Sequence, residues 1–255
     1  MTVLISLEGA IGCGKSTLFH RLSLLLKDKN GIEFVEESVD QWSDHGFLQD
    51  MYRGNISKAT FQHLALASFV GDLQKALARQ PAVIISERSP FSNYHVFAKA
   101  NLEGRELEMY EFSWNKLVGA LPSDLEVLFL YLDAPMSTLL CRVIQRMRDS
   151  EDNVSVEYQE RIRKLHEQWF SSGGVNWLAI DATGTKDEVY YNACQQIDAH
   201  LYNAALRQMD EMGTRLGRLQ TLRATQVVRA ASLGHLSASA GLPSTGFPPF
   251  EHWLA

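Results

Sequence analysis

The chain has 255 residues, 45% of them apolar, and a formal net charge of −6. That is enough apolar material for a full globular core, as one α/β domain with or without a tail. The acidic balance argues against a nucleic-acid partner, which calls for a concentrated basic face.

No apolar run approaches the ~18 residues needed to cross a bilayer, so no membrane partner is expected. No secretory leader is visible, and a transit peptide has no room because residues 2–7 already read as a core strand. Cys13, Cys141 and Cys194 have no metal-like spacing and point to a reducing, cytoplasmic setting. The eight scattered histidines form no metal-ligand pattern and read as structural or surface residues.

In chain order, the first predicted strand is VLISL (3–7). The residues after it, Gly9, Ala10, Ile11, Gly12, Cys13, Gly14, Lys15, Ser16 and Thr17, satisfy G-x-x-x-x-G-K-[ST] in full and lead into the helical run TLFHRLSLLL. Glycines let backbone N–H groups turn inward around phosphate oxygens, and the helix N-terminus adds positive potential. Lys15 then reaches the β- and γ-phosphates and Ser16 can ligate Mg²⁺. Cys13 reads as a small filler of the loop.

The second strand is IEFV (32–35), followed by EESVDQW. A helical stretch then places Gln62, Leu66, Phe69 and Leu73 on one face. An amide on that apolar stripe either satisfies itself locally or bonds a ligand. The third strand, AVIIS (82–86), ends in Ser-Glu-Arg-Ser instead of the usual magnesium-side Asp, and no guanine-reading NKxD is found.

The fourth strand is EVLFLYL (126–132) and the fifth VNWLAI (175–180), with an arginine-rich segment between them. Strands separated by helices predict a parallel sheet. Each strand is closely followed by an acid: Glu8, Glu36 with Glu37, Glu87, Asp133 and Asp181. That edge is where open parallel sheets bind ligands. Asp133 and Asp181 read as caps of the helices that follow them.

Residues 205–229 can continue a basic amphipathic helix. Residues 230–250 contain no Asp, Glu, Lys or Arg and read as a flexible tail.

The segment ERSPFSNYHVF (87–97), EESVDQW (36–42), MYRGNISKATFQ (51–62) and CRVIQRMRDSEDNVSVEYQERI (141–162) resemble the deoxyribonucleoside kinases. The resemblance runs from the glycine-rich loop to about residue 181. It implies an α/β fold of the P-loop kinase type, a three-layer sandwich with a five-stranded parallel sheet flanked by helices. A helical lid is implied at about 142–153, with a domain over 1–204 and a helical extension and tail over 205–255.

It also implies an ATP-dependent enzyme using Mg²⁺, homodimeric, acting on a deoxynucleoside in nucleotide salvage. Glu37 takes the place of the base at the 5′-hydroxyl, and Arg88 lies beside it. Trp42, Tyr52, Gln62, Phe69, Asn93 and Phe97 fall at the sugar and base. Glu151 aligns with the acid that binds the 3′-hydroxyl. Glu87 joins Ser16 at the metal, and Arg142 and Arg146 clamp the phosphates.

The sequence departs from the family in two places. The prolines usual at positions 36 and 38 are replaced by Glu36 and Ser38. The Arg–Asp pair of the deoxycytidine- and purine-accepting members is replaced by Phe69 and Asn93, which leans toward a pyrimidine. A nucleoside-monophosphate kinase resembling thymidylate kinase and a non-catalytic, kinase-like binding subunit are the alternatives.

Overall fold

The structure, a computed structural model, describes the backbone of residues 2–146 and 155–212 and the side chains of residues 2–145 and 155–203. The elements alternate as the strand pattern predicts: β1 (Val3–Glu8), α1 (Lys15–Leu26), β2 (Ile32–Val35), α2 (Val39–Asp44), α3 (Phe47–Arg53), α4 (Lys58–Leu77) and β3 (Val83–Glu87). A helical stretch follows, made of α5 (Pro90–Ser92), a π-helical segment (Asn93–Ala98) and α6 (Lys99–Asn101). Then come α7 (Gly104–Val118), β4 (Glu126–Asp133), α8 (Met136–Arg146), α9 (Val156–Ser171), β5 (Asn176–Asp181) and α10 (Lys186–Met212).

All five strands are parallel, in the order β2-β3-β1-β4-β5. β1 is central and buried along its whole length. This explains its near-continuous apolar sequence, since helices cover both faces of the sheet. Val3, Ile5 and Leu7 pack with Leu18, Leu22 and Leu26 of α1, while Leu4 and Ile84 pack with Leu73 and Ala76 of α4. The period of two along β1 therefore assigns alternate residues to opposite layers.

α4 starts where Ser57 caps it, its hydroxyl accepting from Thr60 N. Its buried residues include Phe61, Ala65, Leu66, Phe69, Val70 and Leu73, a helical stripe that also carries Gln62.

α10 runs without a break through residue 204 to Met212, so one helix crosses the boundary expected there. The rest of the expected extension, the lid beyond Arg146, and Glu151 lie outside the described residues. Among the described residues no helix is long and apolar enough to cross a membrane.

Candidate active site

The carboxyl edge of the sheet opens into a cleft of about 480 Å³ that runs from the glycine-rich loop to α4. At one end the loop has the conformation its glycines predict. Gly12 has φ +87°, and a Cβ there would sit 2.8 Å from Leu139 O of α8. Gly9 has φ +138°, and its Cβ would meet Leu132 O at 2.6 Å. Both positions demand glycine for φ and for space.

Lys15 is buried and its Nζ donates to Ala10 O at 3.0 Å and Gly9 O at 3.2 Å. Ile11, Gly14, Ser16 and Thr17 line the cleft, whereas Gly9 and Ala10 stand behind it, Ala10 fully packed. Cys13 is buried in the core as a filler, with its carbonyl accepting from Arg142 Nη1 at 3.4 Å.

Gln159, which carries no signal in the sequence, also holds this loop. The amide of Gln159, wholly buried on α9, donates to Ile11 O at 2.9 Å and accepts from Ile11 N at 3.2 Å. Nothing in YQERI separates this amide from its solvated neighbours on a charged helix.

Ser16 Oγ donates to Glu87 Oε1 at 2.6 Å, joining the start of α1 to the end of β3. Arg88 comes next, with φ +60°, an uncommon region for a residue with a side chain. It is held there from several sides. Its N–H donates to Leu7 O at 3.1 Å, and its guanidinium donates to Gly9 O and to Glu37 Oε2, each at 3.1 Å. The ring of Phe97 lies beneath it, 4.4 Å from ring centre to guanidinium carbon.

Burial raises the pKa of Glu37, and the nearby Glu87 adds to this against the pull of Arg88 and Lys15. Burial also works against the charge of Arg88, but Glu37 and Glu8 more than offset it, so its pKa is raised and it stays cationic.

Glu8 is the second residue whose role was hidden. It is fully buried, and its Oε1 accepts from Ser6 Oγ at 2.7 Å and Ser89 Oγ at 2.9 Å. Burial raises its pKa despite Arg88. It therefore braces the β1 and β3 ends from below and does not cap a helix.

His166 Nε2 faces Glu8 Oε2 at 4.0 Å within the core. Burial lowers the His166 pKa to about 3, so it is neutral.

The caps expected of two other strand-end acids are corrected. Asp133 pairs with Arg163 at 3.5 Å. Asp181 closes its own turn by accepting from Thr183 N at 2.9 Å. α10 is capped by Thr185 and Glu188, which exchange backbone bonds, because that loop is long enough to supply its own cap.

At the far end of the cleft stand side chains from α2, α3, α4 and the π-helical segment. Trp42 packs edge-on against Phe61 and Phe69, at 5.4 and 5.9 Å between ring centres, and donates from Nε1 to Ser68 Oγ at 3.2 Å. Tyr52 of α3 also lines the cleft.

The i→i+5 bonding of the π-helical segment widens its turn, and both Asn93 and Phe97 line the cleft. Asn93 Nδ2 donates to Gln62 Oε1 at 3.0 Å, and Asn93 Oδ1 accepts from the hydroxyl of Tyr110 on α7. Tyr110 had no sequence signal. Arg146 falls in the last described turn of α8, its side chain outside the described residues.

One cleft thus joins a phosphate loop, an Arg–carboxylate pair and an amide-bearing apolar end. A family model described as deoxynucleoside kinase matches residues 5–201. The thymidine kinase of Ictalurid herpesvirus 1 is 30% identical over 191 residues, covering 71% of this chain and 80% of that protein. Human deoxycytidine kinase is 29% identical over 198 residues, covering 65% and 74% respectively. Among solved structures, the deoxyadenosine kinase of M. mycoides superposes with a TM-score of 0.63 at 21% identity, covering 77% of this chain and 99% of that one. This last likeness concerns the fold.

Proposed function

The chain belongs to the deoxynucleoside kinase family, and on that premise we propose that it transfers the γ-phosphate of ATP to the 5′-hydroxyl of a deoxynucleoside, a pyrimidine by preference. The observation that carries the reading is the Glu37–Arg88 pair at 3.1 Å, set between the phosphate loop and the amide end of one cleft. A primary hydroxyl is a weak nucleophile. A carboxylate with a raised pKa is a better proton acceptor, and general-base help of this kind contributes roughly 10²–10⁴ in rate.

In this reading the backbone of residues 11–17 holds the triphosphate, with Gly9 and Ala10 behind it, and Lys15 turns its ammonium to the β- and γ-phosphates. Glu37 orients the 5′-hydroxyl and takes its proton. Arg88 meets the charge that develops on the transferring group, and Arg142, already at the loop, joins it, with Arg146 one helical turn further on. Trp42, Phe69 and Phe97 flank the base, Gln62 and Asn93 meet its edge, and Tyr52 and Glu151 serve the sugar. A pyrimidine is favoured because Phe69 and Asn93 bring bulk and no charged pair to the base end.

Among the described residues no three His, Cys, Asp or Glu gather into a metal site. Ser16 and Glu87 supply hard oxygens 2.6 Å apart at the loop. This set fits Mg²⁺, which takes most of its ligands from phosphate and water and would neutralise phosphate charge there.

A homodimer and a cytoplasmic setting belong to the same proposal. The first is supported by the exposed Met109 and Phe112 on α7, and the second by an exposed, unpaired Cys141.

The test is a transfer assay on the purified chain with ATP–Mg²⁺, offering each of the four natural deoxynucleosides and thymidine monophosphate. Transfer to at least one nucleoside and not to the monophosphate is expected. Transfer confined to the monophosphate, or ATP binding with no transfer, overturns the reading.

A further inference from the structure

Tyr110 stands behind the base end of the cleft, fully buried on α7. Its surroundings include other rings: Tyr94 is stacked at 6.2 Å and His63 meets it edge-on at 5.2 Å. Burial raises its pKa, so the phenol keeps its proton. A buried hydroxyl has to give that proton to an acceptor, and the bond it makes is to Asn93 Oδ1.

That proton sets the direction of every bond beyond it. With its carbonyl turned to Tyr110, Asn93 turns its amide nitrogen to Gln62 and donates to Gln62 Oε1 at 3.0 Å. Gln62 then keeps both N–H bonds of its own amide for whatever occupies the cleft, and Asn93 keeps one. Turning either amide over would set like groups face to face or leave the phenol proton without a partner, each a buried unsatisfied group.

We infer that Tyr110 is a positioning residue that fixes this end of the cleft with donors opposite C4 and an acceptor opposite N3, selecting pyrimidines with an oxo group at C4 over those with an amino group there. The inference rests on the reading of the cleft as a deoxynucleoside site with Gln62 and Asn93 at the base. A C4 oxygen accepts from these N–H groups, while the adjacent N3–H of thymine or uracil uses the second lone pair of Gln62 Oε1. Cytosine instead sets an amino donor against Gln62 Nε2–H and an unprotonated N3 against Gln62 Oε1, so both contacts are mismatched. Accommodating it requires the amides to turn over, and the phenol proton then loses its acceptor.

The experiment compares kcat and KM for thymidine, deoxyuridine and deoxycytidine in the native chain, Tyr110→Phe and Asn93→Asp. The native chain is expected to favour both oxo substrates by at least ~10-fold in kcat/KM, within the range that hydrogen-bond mismatch supports. Tyr110→Phe frees the amides to turn and brings that ratio toward unity, chiefly through a lower KM for deoxycytidine. A merely structural role would weaken all three substrates alike. Asn93→Asp keeps the phenol bond but replaces the donor by an acceptor, and shifts preference toward deoxycytidine.

A native preference for deoxycytidine overturns the inference, as does an unchanged ratio in folded Tyr110→Phe. Should that variant fail to fold, an Asn93→Asp ratio that does not move toward deoxycytidine overturns it. Absence of transfer to any deoxynucleoside is a separate result, which removes the underlying reading and the inference with it.

Discussion

At the end of the cleft proposed for phosphate, the groups presented are largely the backbone of residues 11–17, braced by Gln159 and Arg142. At the base end they are side chains, gathered from α2, α3, α4 and the π-helical segment and oriented by a tyrosine on α7. Every triphosphate offers the same oxygens, so a loop of amides serves them all. Nucleobases differ by single donors and acceptors, so their end needs side chains whose amides cannot turn freely. The Glu37–Arg88 pair lies at the junction, where both halves have to be correct at once.

That division is tested hardest at the junction. Glu37→Gln should lower kcat by roughly 10²–10⁴ while leaving nucleoside and ATP binding nearly unchanged. Equal losses in binding and turnover would make Glu37 a ligand-holding group instead. The native pH profile sharpens the point. A base works only when deprotonated, and burial raises the Glu37 pKa from 4.5, so the acid limb of kcat/KM should lie above that value. An acid limb at or below it counts against the role.

Next in size, Gln62→Leu should cost about 10–100-fold in nucleoside kcat/KM, the scale of one lost base-edge interaction of 1–3 kcal/mol. The KM for ATP should be unaffected. A matching loss in ATP affinity would show that the two ends are not separable.

The mirror experiment is Gly12→Ala, which places a Cβ 2.8 Å from Leu139 O at φ +87°. Strain of about 1–3 kcal/mol should appear as a lower Tm and a higher KM for ATP, with the nucleoside KM spared.

The smallest effect concerns the floor beneath both ends. Buried His166 has its pKa lowered from 6.5 to about 3. Between those values the unfolded chain holds a proton that the folded chain does not, so the contribution of His166 to stability is fully present above about 6.5 and declines as pH falls toward 3, while the raised pKa values of Glu8 and Glu37 act with the opposite sign above 4.5. His95, lowered to about 4, contributes with the same sign as His166. In chemical denaturation, His166→Gln should lessen this slope without abolishing it. An unchanged slope would show that His166 does not contribute to it.

The sequence alone laid down the parallel α/β core, the glycine-rich loop and an acid at the end of every strand, of which Glu36, Glu37 and Glu87 line the cleft and Glu8, Asp133 and Asp181 do not. It could do so because each is local: nine adjacent residues for the loop, a run of apolar residues for a strand, and at least one carboxylate close after each run. Tertiary structure decided what those acids do. Glu8 and Glu87 look alike on paper, each a Glu at the end of an apolar strand, yet one braces the floor through Ser6 and Ser89 and the other meets Ser16. Tyr110 and Gln159 had no signal at all. Their partners lie 17 and 148 residues away in the chain, and the direction of a buried hydrogen bond depends on which group its neighbour leaves unsatisfied, a matter settled only when the helices meet.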